Sequence, residues 1–157
     1  MLETRTIAIQ DRYGERFQHC WGCGPKNDLG LHLKTYPSID GKSCISRIKL
    51  ENAYTGGVPS NVFGGMIATI FDCHGTASAA WFAHHQKGLE LTESTVIGRF
   101  ITARLEIDYL SPSVEVRGGD QVVVKENDET KNPVYFGGGS AASVKRTKTR
   151  KIGRAHV

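Results

Sequence analysis

Residues 64–86 read GGMIATIFDCHGTASAAWFAHHQ, and this stretch decides the fold. From Met66 to Gln86 nearly every position is apolar or small, and Asp72 is the only acid. As an α-helix these roughly 21 residues would extend about 30 Å. A helix that is apolar on all sides must be buried by the rest of its domain. We expect Gly88 to end it.

The residues around this helix predict antiparallel strands. Phe100 to Leu110 is the clearest case: its apolar side chains alternate with polar ones, which indicates a sheet with one face on the core. The Asp40-Gly41 pair predicts a hairpin turn. Further strands are predicted at 30–34, 43–50, 121–126 and 132–144, the last weakened by Gly137-Gly138-Gly139. A single helix wrapped by a curved antiparallel sheet, an α+β arrangement, would bury the helix economically.

The 157 residues predict one domain, 1–157, in which 1–18 form a short helix or an ordered arm. The net charge of +4 comes from 145–157, which contain six basic residues and no acid. The remaining chain has 14 basic and 16 acidic residues, so we expect no nucleic-acid partner. The last six residues, IGRAHV, read like a translated frame of a sequencing adapter; a natural final strand is the alternative.

The apolar stretches and the cysteines bear on where the protein acts. No apolar run reaches the roughly 18 residues of a membrane span, and the N-terminus lacks the apolar centre of a signal peptide. We therefore expect a cytoplasmic protein with reduced thiols and no membrane partner.

Asp72 is the strongest candidate for chemistry. An unpaired, ionised carboxylate in an apolar helix costs several kcal/mol. Such a group is kept where it is paired or where its proton chemistry is useful. Gly64 and Gly65 precede it at the helix start, where unpaired amides and the helix dipole can stabilise an oxyanion. Asp72 lies about 10 Å along the axis from Gly65, which suggests a site shared between two antiparallel helices of a dimer.

Other polar residues are better explained by structure than by catalysis. His74 points about 200° away from Asp72, so the two form no dyad, and a satisfied core histidine is favoured. Cys73 is expected to be a small buried residue. His19, Cys20 and Cys23 offer three metal ligands where zinc sites usually have four, so we expect no metal.

These residues together resemble the hot-dog fold acyl-CoA thioesterases, over roughly residues 17–125. NVFGGMIATIFDCHG at 61–75 is similar to their central helix, and FITARLEIDYLSP at 100–112 to the strand that follows. The N-terminal segment of one branch is matched by Cys20-Xaa-Xaa-Cys23-Gly24, Asn27 and Gly30-Leu31. Many members have His before the two glycines; this chain has Phe63, as in a lineage close to phenylacetate-pathway thioesterases.

The resemblance implies a hot-dog fold, a homodimer or homotetramer, an acyl-CoA substrate and no cofactor. It implies that Gly65 donates its N–H to the thioester carbonyl and that Asp72 of the partner subunit is general base or nucleophile. Thr102 would position water, and Asn61, Phe63 and Gly64 would contact the substrate. Two alternatives stay open: a hot-dog enoyl-CoA hydratase or dehydratase that uses His74 through the dimer, and a non-catalytic acyl-CoA or lipid-binding dimer, which Phe63 favours.

Overall fold

The fold is described from a computed structural model over residues 3–58, 61–105, 107–109, 121–127, 134–135, 141–144 and 148–151. Two short 3-10 helices, Ile9–Arg12 and Glu15–Phe17, begin the chain, as expected of an ordered arm. The strands β1 (Thr35–Pro37) and β2 (Ser43–Lys49) precede a 3-10 turn at Asn52–Tyr54 and the helix α1 (Gly64–His85). After α1 come β3 (Phe100–Arg104), β4 (Ile107–Tyr109), β5 (Gln121–Asn127), β6 (Val134–Tyr135), β7 (Ala141–Val144) and β8 (Lys148–Lys151).

The described strands pair antiparallel throughout, and they form three sets. β2 lies between β1 and β5, β3 pairs with β8, and β7 lies between β4 and β6. The β1–β2 hairpin turns at Asp40-Gly41, where Gly41 has φ +75° and donates its N–H to the carbonyl of Ser38 over 3.0 Å. Only a glycine adopts this left-handed backbone without strain. The hairpin predicted from that pair is therefore confirmed.

The helix α1 is the centre of the core. Its N-terminal half packs in one cluster with Leu33 and Leu50, and its C-terminal half packs in a second cluster with Ile9 and Ile97. The indole of Trp81, fully buried, donates a hydrogen bond to the Gly41 carbonyl over 3.1 Å and so joins the hairpin to the helix. The buried central helix confirms the main expectation from the sequence.

Several sequence-based boundaries are wrong. α1 begins at Gly64, two residues before the predicted start, because glycine's poor helix propensity conceals the first turn in the sequence. Residues 30–34 form no strand: His32 has φ +52°, and the N–H groups of Leu31 and Leu33 donate to the Trp21 and Gly22 carbonyls. These bonds fold the segment onto the turn at 20–24 and leave no ladder for a neighbouring strand.

The later strands also differ from expectation. Phe100 to Leu110 is divided into β3 and β4, with a register shift between Thr102 and Arg104. The predicted strand at 132–144 is a pair, β6 and β7, that bond to each other. The basic C-terminal segment contributes β8, which pairs with β3. Gly137-Gly138-Gly139 and residues 152–157 lie outside the described residues.

No helix within the described residues combines the length and the apolar character that crossing a bilayer would need.

Candidate active site

The side chains of Asp72 and Thr102 meet where α1 packs against β3. The Thr102 hydroxyl donates a hydrogen bond to Oδ1 of Asp72, and both residues are half-buried. Thr76, one turn further along α1, donates its hydroxyl to the Asp72 carbonyl over 3.0 Å. The carboxylate is thus oriented through one oxygen by a neutral donor, and Oδ2 is the oxygen that Thr102 leaves for other contacts.

The orientation of β3 explains why Thr102 rather than its apolar neighbours meets the helix. The apolar positions Ile101 and Ala103 are exposed, whereas Leu105 and Ile107, beyond the register shift, are partly buried. An irregularity in a strand re-aims its side chains. The apolar face predicted for 101–109 is therefore wrong over β3, and the polar face carries the functional candidate.

The first turn of α1 contains the second candidate feature. Met66 donates its N–H to the Phe63 carbonyl over 3.0 Å, and Gly65 lies in the same turn, at the positive end of the helix dipole. The ring of Phe63 lies directly over Gly65: a Cβ built on Gly65 would come within 2.4 Å of Cε2 of that ring. Gly64, Gly65 and Phe63 are all exposed, so the helix start faces outward.

The loop before α1 positions this turn. Asn61 accepts the N–H of Gly56 at its carbonyl over 2.6 Å, and Phe63 donates its own N–H to the Tyr54 carbonyl over 3.0 Å. Hydrogen bonds therefore hold the backbone of Asn61 and Phe63, two of the residues predicted to contact the substrate.

Gly65 and Asp72 do not meet within one subunit. They are seven residues apart in the same helix, which separates them by about 10 Å along the axis but places them within about 20° of each other around it. Part of their common face is only half-buried, although Thr76 within it is 2% exposed. Its half-buried members are all small, namely Ala68, Thr69, Asp72, Ala79 and Ala83.

A cleft of about 230 Å³ lies further along α1, near its C-terminal end. Its walls include Ala80 and Ala83 of α1, Phe100 of β3, and Val96 and Ile97 of the preceding loop. Phe100 and Thr102 are two positions apart on one strand and point to the same side. The cleft and the carboxylate are therefore neighbours along one helix–strand groove.

His74 is a core histidine whose ring is hydrogen-bonded to protein groups, as the sequence predicts. It is 2% exposed, and its Nδ1 bonds to the Ser46 hydroxyl over 2.8 Å. Ser46 bonds in turn to Thr35, whose hydroxyl accepts a hydrogen bond from Gln10, each over 2.8 Å. Burial lowers the pKa of His74 to about 3, so the imidazole is neutral.

Three cysteines form a cluster that ligand counting in the sequence misses. The sulfurs of Cys20, Cys23 and Cys73 lie within 4.8 Å of one another. His19, which was counted as a candidate ligand, is exposed and is not part of the cluster. Cys73 is buried as expected, but its sulfur meets the turn at 20–23 across 50 residues of sequence. The only hint in the sequence is Gly22, which lets the turn approach the helix.

Comparison with known protein families and with curated proteins gives no match. Among solved structures, the chain is similar to the crystal structure of a thioesterase superfamily protein, with 21% sequence identity and a TM-score of 0.52. The match covers 81% of this chain and 58% of that one, so this chain spans little more than half of the matched protein's length. The likeness defines the architecture: the chain has an α+β hot-dog fold, which confirms the fold that the sequence predicts.

Proposed function

We propose that the chain is an acyl-CoA thioesterase whose active site forms between two subunits. The observation that carries the proposal is the half-buried Asp72 carboxylate, held through Oδ1 by the Thr102 hydroxyl. A carboxylate fixed beside an apolar cleft is suited to proton transfer at a carbonyl. The matched structure is that of a thioesterase superfamily protein, which supports the same reaction class.

In the proposed reaction, Oδ2 of Asp72 takes a proton from water as the water oxygen attacks the thioester carbonyl carbon. The carbonyl oxygen becomes an oxyanion and accepts the N–H of Gly65 from the other subunit. The C–S bond then breaks, and the CoA thiolate recovers the proton. In the alternative scheme, Asp72 itself attacks the carbonyl carbon and forms an acyl anhydride as the CoA thiolate leaves, and water then hydrolyses the anhydride. This scheme uses the same two residues.

The hydrogen bond from Thr102 to Asp72 supports a role for Thr102 in orienting the carboxylate. Its hydroxyl proton is engaged by Asp72, so towards water it can act only as an acceptor. Thr102 therefore orients the carboxylate directly and contributes to water placement through its lone pairs.

The shared site follows from the separation of the two features along α1. Two antiparallel helices packed through the face of small residues would bring the Asp72 of one subunit to the Gly65 of the other. The incomplete cover of that face, together with the 42% exposure of Phe63 at the helix start, supports a second copy as its cover. A homodimer is the smallest assembly that completes the site.

The acyl group is proposed to occupy the groove between α1 and β3. The cleft that begins near Phe100 is lined mainly by apolar side chains, while His84 and Lys87 also border it. An acyl chain entering from Asp72 would run about 12 Å along the helix to reach Ala80.

One observation favours a second candidate function, non-catalytic binding of acyl-CoA. The Phe63 ring packs on Gly65, on the surface that a carbonyl oxygen would approach. If the ring keeps that place, the site binds the thioester without activating it. By contrast, His74 is buried and bonded to Ser46, which supports a structural role rather than a hydratase acid or base.

Hydrolysis of an acyl-CoA panel tests the proposal, with CoA release measured by chromatography for acetyl, hexanoyl, palmitoyl and phenylacetyl thioesters. Wild type should turn over at least one of them, and Asp72→Asn should lower kcat by about 100-fold or more. Asp28→Asn, an exposed loop carboxylate, is the matched control and should keep full activity. Tight binding without turnover by wild type would establish the binding protein instead.

Mixing two inactive variants tests the shared site. Gly65→Ala should also lose about 100-fold in kcat, because the added methyl group and the displaced Phe63 ring obstruct the oxyanion donor. A heterodimer of Asp72→Asn with Gly65→Ala contains one intact pair, so an equilibrated mixture should recover about a quarter of wild-type activity. No recovery after verified subunit exchange would contradict a shared site.

A further inference from the structure

The cluster of Cys20, Cys23 and Cys73 is separate from the proposed catalytic pair and has a geometry suited to a metal. All three sulfurs lie within 4.8 Å of one another, and those of Cys20 and Cys73 are 3.9 Å apart. In a tetrahedral zinc site with Zn–S distances of about 2.3 Å, neighbouring sulfurs are about 3.8 Å apart. Small side-chain movements are therefore enough to bring the three sulfurs onto one ion.

The backbone at 20–24 is shaped to bring these sulfurs together. A Cβ built on Gly22 would lie 2.4 Å from Sγ of Cys73, so only glycine lets the turn approach the helix this closely. Gly24 donates its N–H to the Cys20 carbonyl over 2.7 Å, and a Cβ there would come within 2.5 Å of the Cys20 nitrogen. Both glycines of the Cys-Trp-Gly-Cys-Gly turn thus allow the close packing that brings the three cysteines together.

The charge beside the cluster suits thiolate ligands that bind a divalent cation. Arg99 adds a positive charge, with Nη1 3.8 Å from Sγ of Cys23. Three thiolates and a divalent cation carry a net charge of −1, which Arg99 neutralises; a monovalent ion would leave one further negative charge.

Burial places the open coordination position on the side of Cys20. Cys23 and Cys73 are 1% and 3% exposed, whereas Cys20 is half-buried and reaches towards solvent. Tyr13 lies beside the same Arg99, whose guanidinium carbon is 4.9 Å from the centre of the Tyr13 ring. Its hydroxyl is buried and has no hydrogen-bond partner among the described residues. A buried polar group left in this way indicates a missing partner, such as a bound water.

We propose that Cys20, Cys23 and Cys73 bind one Zn²⁺ through three thiolates, with a water molecule as fourth ligand. Each thiol that is still protonated releases its proton to solvent when it binds. Because Cys73 follows Asp72 directly in α1, the ion would fasten the N-terminal turn to the helix beside the proposed catalytic carboxylate. The site is independent of the proposed thioesterase activity, since it uses none of the same side chains.

Cobalt substitution of the full chain tests the metal site without reference to activity. After metal removal under oxygen-free, reducing conditions, wild type should take up one equivalent of Co²⁺ and show thiolate-to-cobalt charge-transfer absorption and intense tetrahedral bands. One equivalent of Zn²⁺ should displace it. Cys20→Ser, Cys23→Ser and Cys73→Ser should each weaken binding by at least about 100-fold, since even outer-shell changes cost 10–100-fold. Cys44→Ala is the matched control: it is a buried cysteine outside the cluster and should bind normally.

A second measurement uses only the wild-type chain, in case the serine variants fail to fold. Zn²⁺ should protect Cys20, Cys23 and Cys73 from alkylation, mapped by peptide mass spectrometry, and should leave the reactivity of Cys44 unchanged. The proposal is overturned if no thiolate bands develop or if folded Cys73→Ser binds as tightly as wild type. It is equally overturned if the protein isolated without reductant contains a Cys20–Cys23 disulfide and takes up no zinc after reduction.

Discussion

The Thr102 hydroxyl donates its hydrogen bond to Oδ1 of Asp72 and joins the centre of α1 to β3. A threonine has only one hydroxyl proton, so this bond fixes the direction of the donor as well as the orientation of the carboxylate. It makes the two oxygens of Asp72 unequal: Oδ1 is held, and Oδ2 is the atom proposed to receive the proton from water.

Removing this hydroxyl should therefore impair turnover more than binding. Thr102→Val, which keeps the shape of the side chain, should lower kcat by about 10- to 100-fold, less than the roughly 100- to 10,000-fold that a general base itself contributes. KM should change by less than about threefold. Steady-state kinetics on the best acyl-CoA of the panel measure both constants.

Thr102→Ser is the matched control, because it restores the hydroxyl without the methyl group. It should recover most of the lost kcat. If Ser and Val variants fold equally well and are equally slow, the hydroxyl has no part in the reaction and the methyl group accounts for the effect.

A substitution at Phe63 distinguishes a thioesterase from a protein that only binds acyl-CoA. Phe63→Ala removes the ring that lies over Gly65 and opens the surface of the first turn. If the chain is a thioesterase whose Phe63 moves aside for substrate, the variant should keep kcat within about threefold and raise KM, because apolar contact with the substrate is lost. If wild type only binds acyl-CoA, the same substitution should create measurable hydrolysis. Leu29→Ala, at an apolar position that is 86% exposed and lies outside the proposed site, should alter neither constant.

The central helix and the candidate carboxylate are predictable from sequence because their signals are local. Twenty-odd apolar or small residues predict a buried helix whatever surrounds it, and a lone acid within them is conspicuous. The Asp40-Gly41 hairpin is predictable for the same reason, since the left-handed backbone at Gly41 is a property of one dipeptide.

What the sequence conceals depends on contacts between distant segments. The register shift in β3 turns Thr102 towards Asp72 and Ile101 outward, and alternation alone cannot reveal it. The same holds for Cys73, which is an ordinary buried residue in the helix pattern and becomes a third sulfur only when the turn at 20–23 packs on it. His32, with its positive φ, interrupts a pattern that otherwise predicts a strand.

If the acyl chain occupies the cleft next to Phe100, a substitution in the cleft should affect long acyl chains more than short ones. Ala83 is half-buried, borders the cleft and lies on the same face of α1 as Asp72. Ala83→Leu should fill part of the cleft and lower kcat/KM for palmitoyl-CoA by about 10-fold, as expected for loss of one or two buried methylene contacts and added crowding. Acetyl-CoA, which does not reach that far, should be hydrolysed within about twofold of wild type. Equal losses for both substrates would place the acyl chain elsewhere.

The buried network around His74 predicts a specific loss of stability in acid. Burial lowers the pKa of His74 from 6.5 to about 3 in the folded protein, so the unfolded chain binds the proton first as the pH falls. The stability contributed by the neutral ring is fully present above about pH 6.5 and decreases by about 1.4 kcal/mol per pH unit between there and pH 3. Urea unfolding of wild type and His74→Asn from pH 4.5 to 7.0 should show a shallower pH dependence in the variant by about that slope. His19→Asn, at an exposed histidine, should keep the wild-type dependence. Parallel curves for wild type and His74→Asn would mean that the imidazole gains a proton inside the folded protein, which the hydroxyls of Ser46 and Thr35 would then have to accommodate.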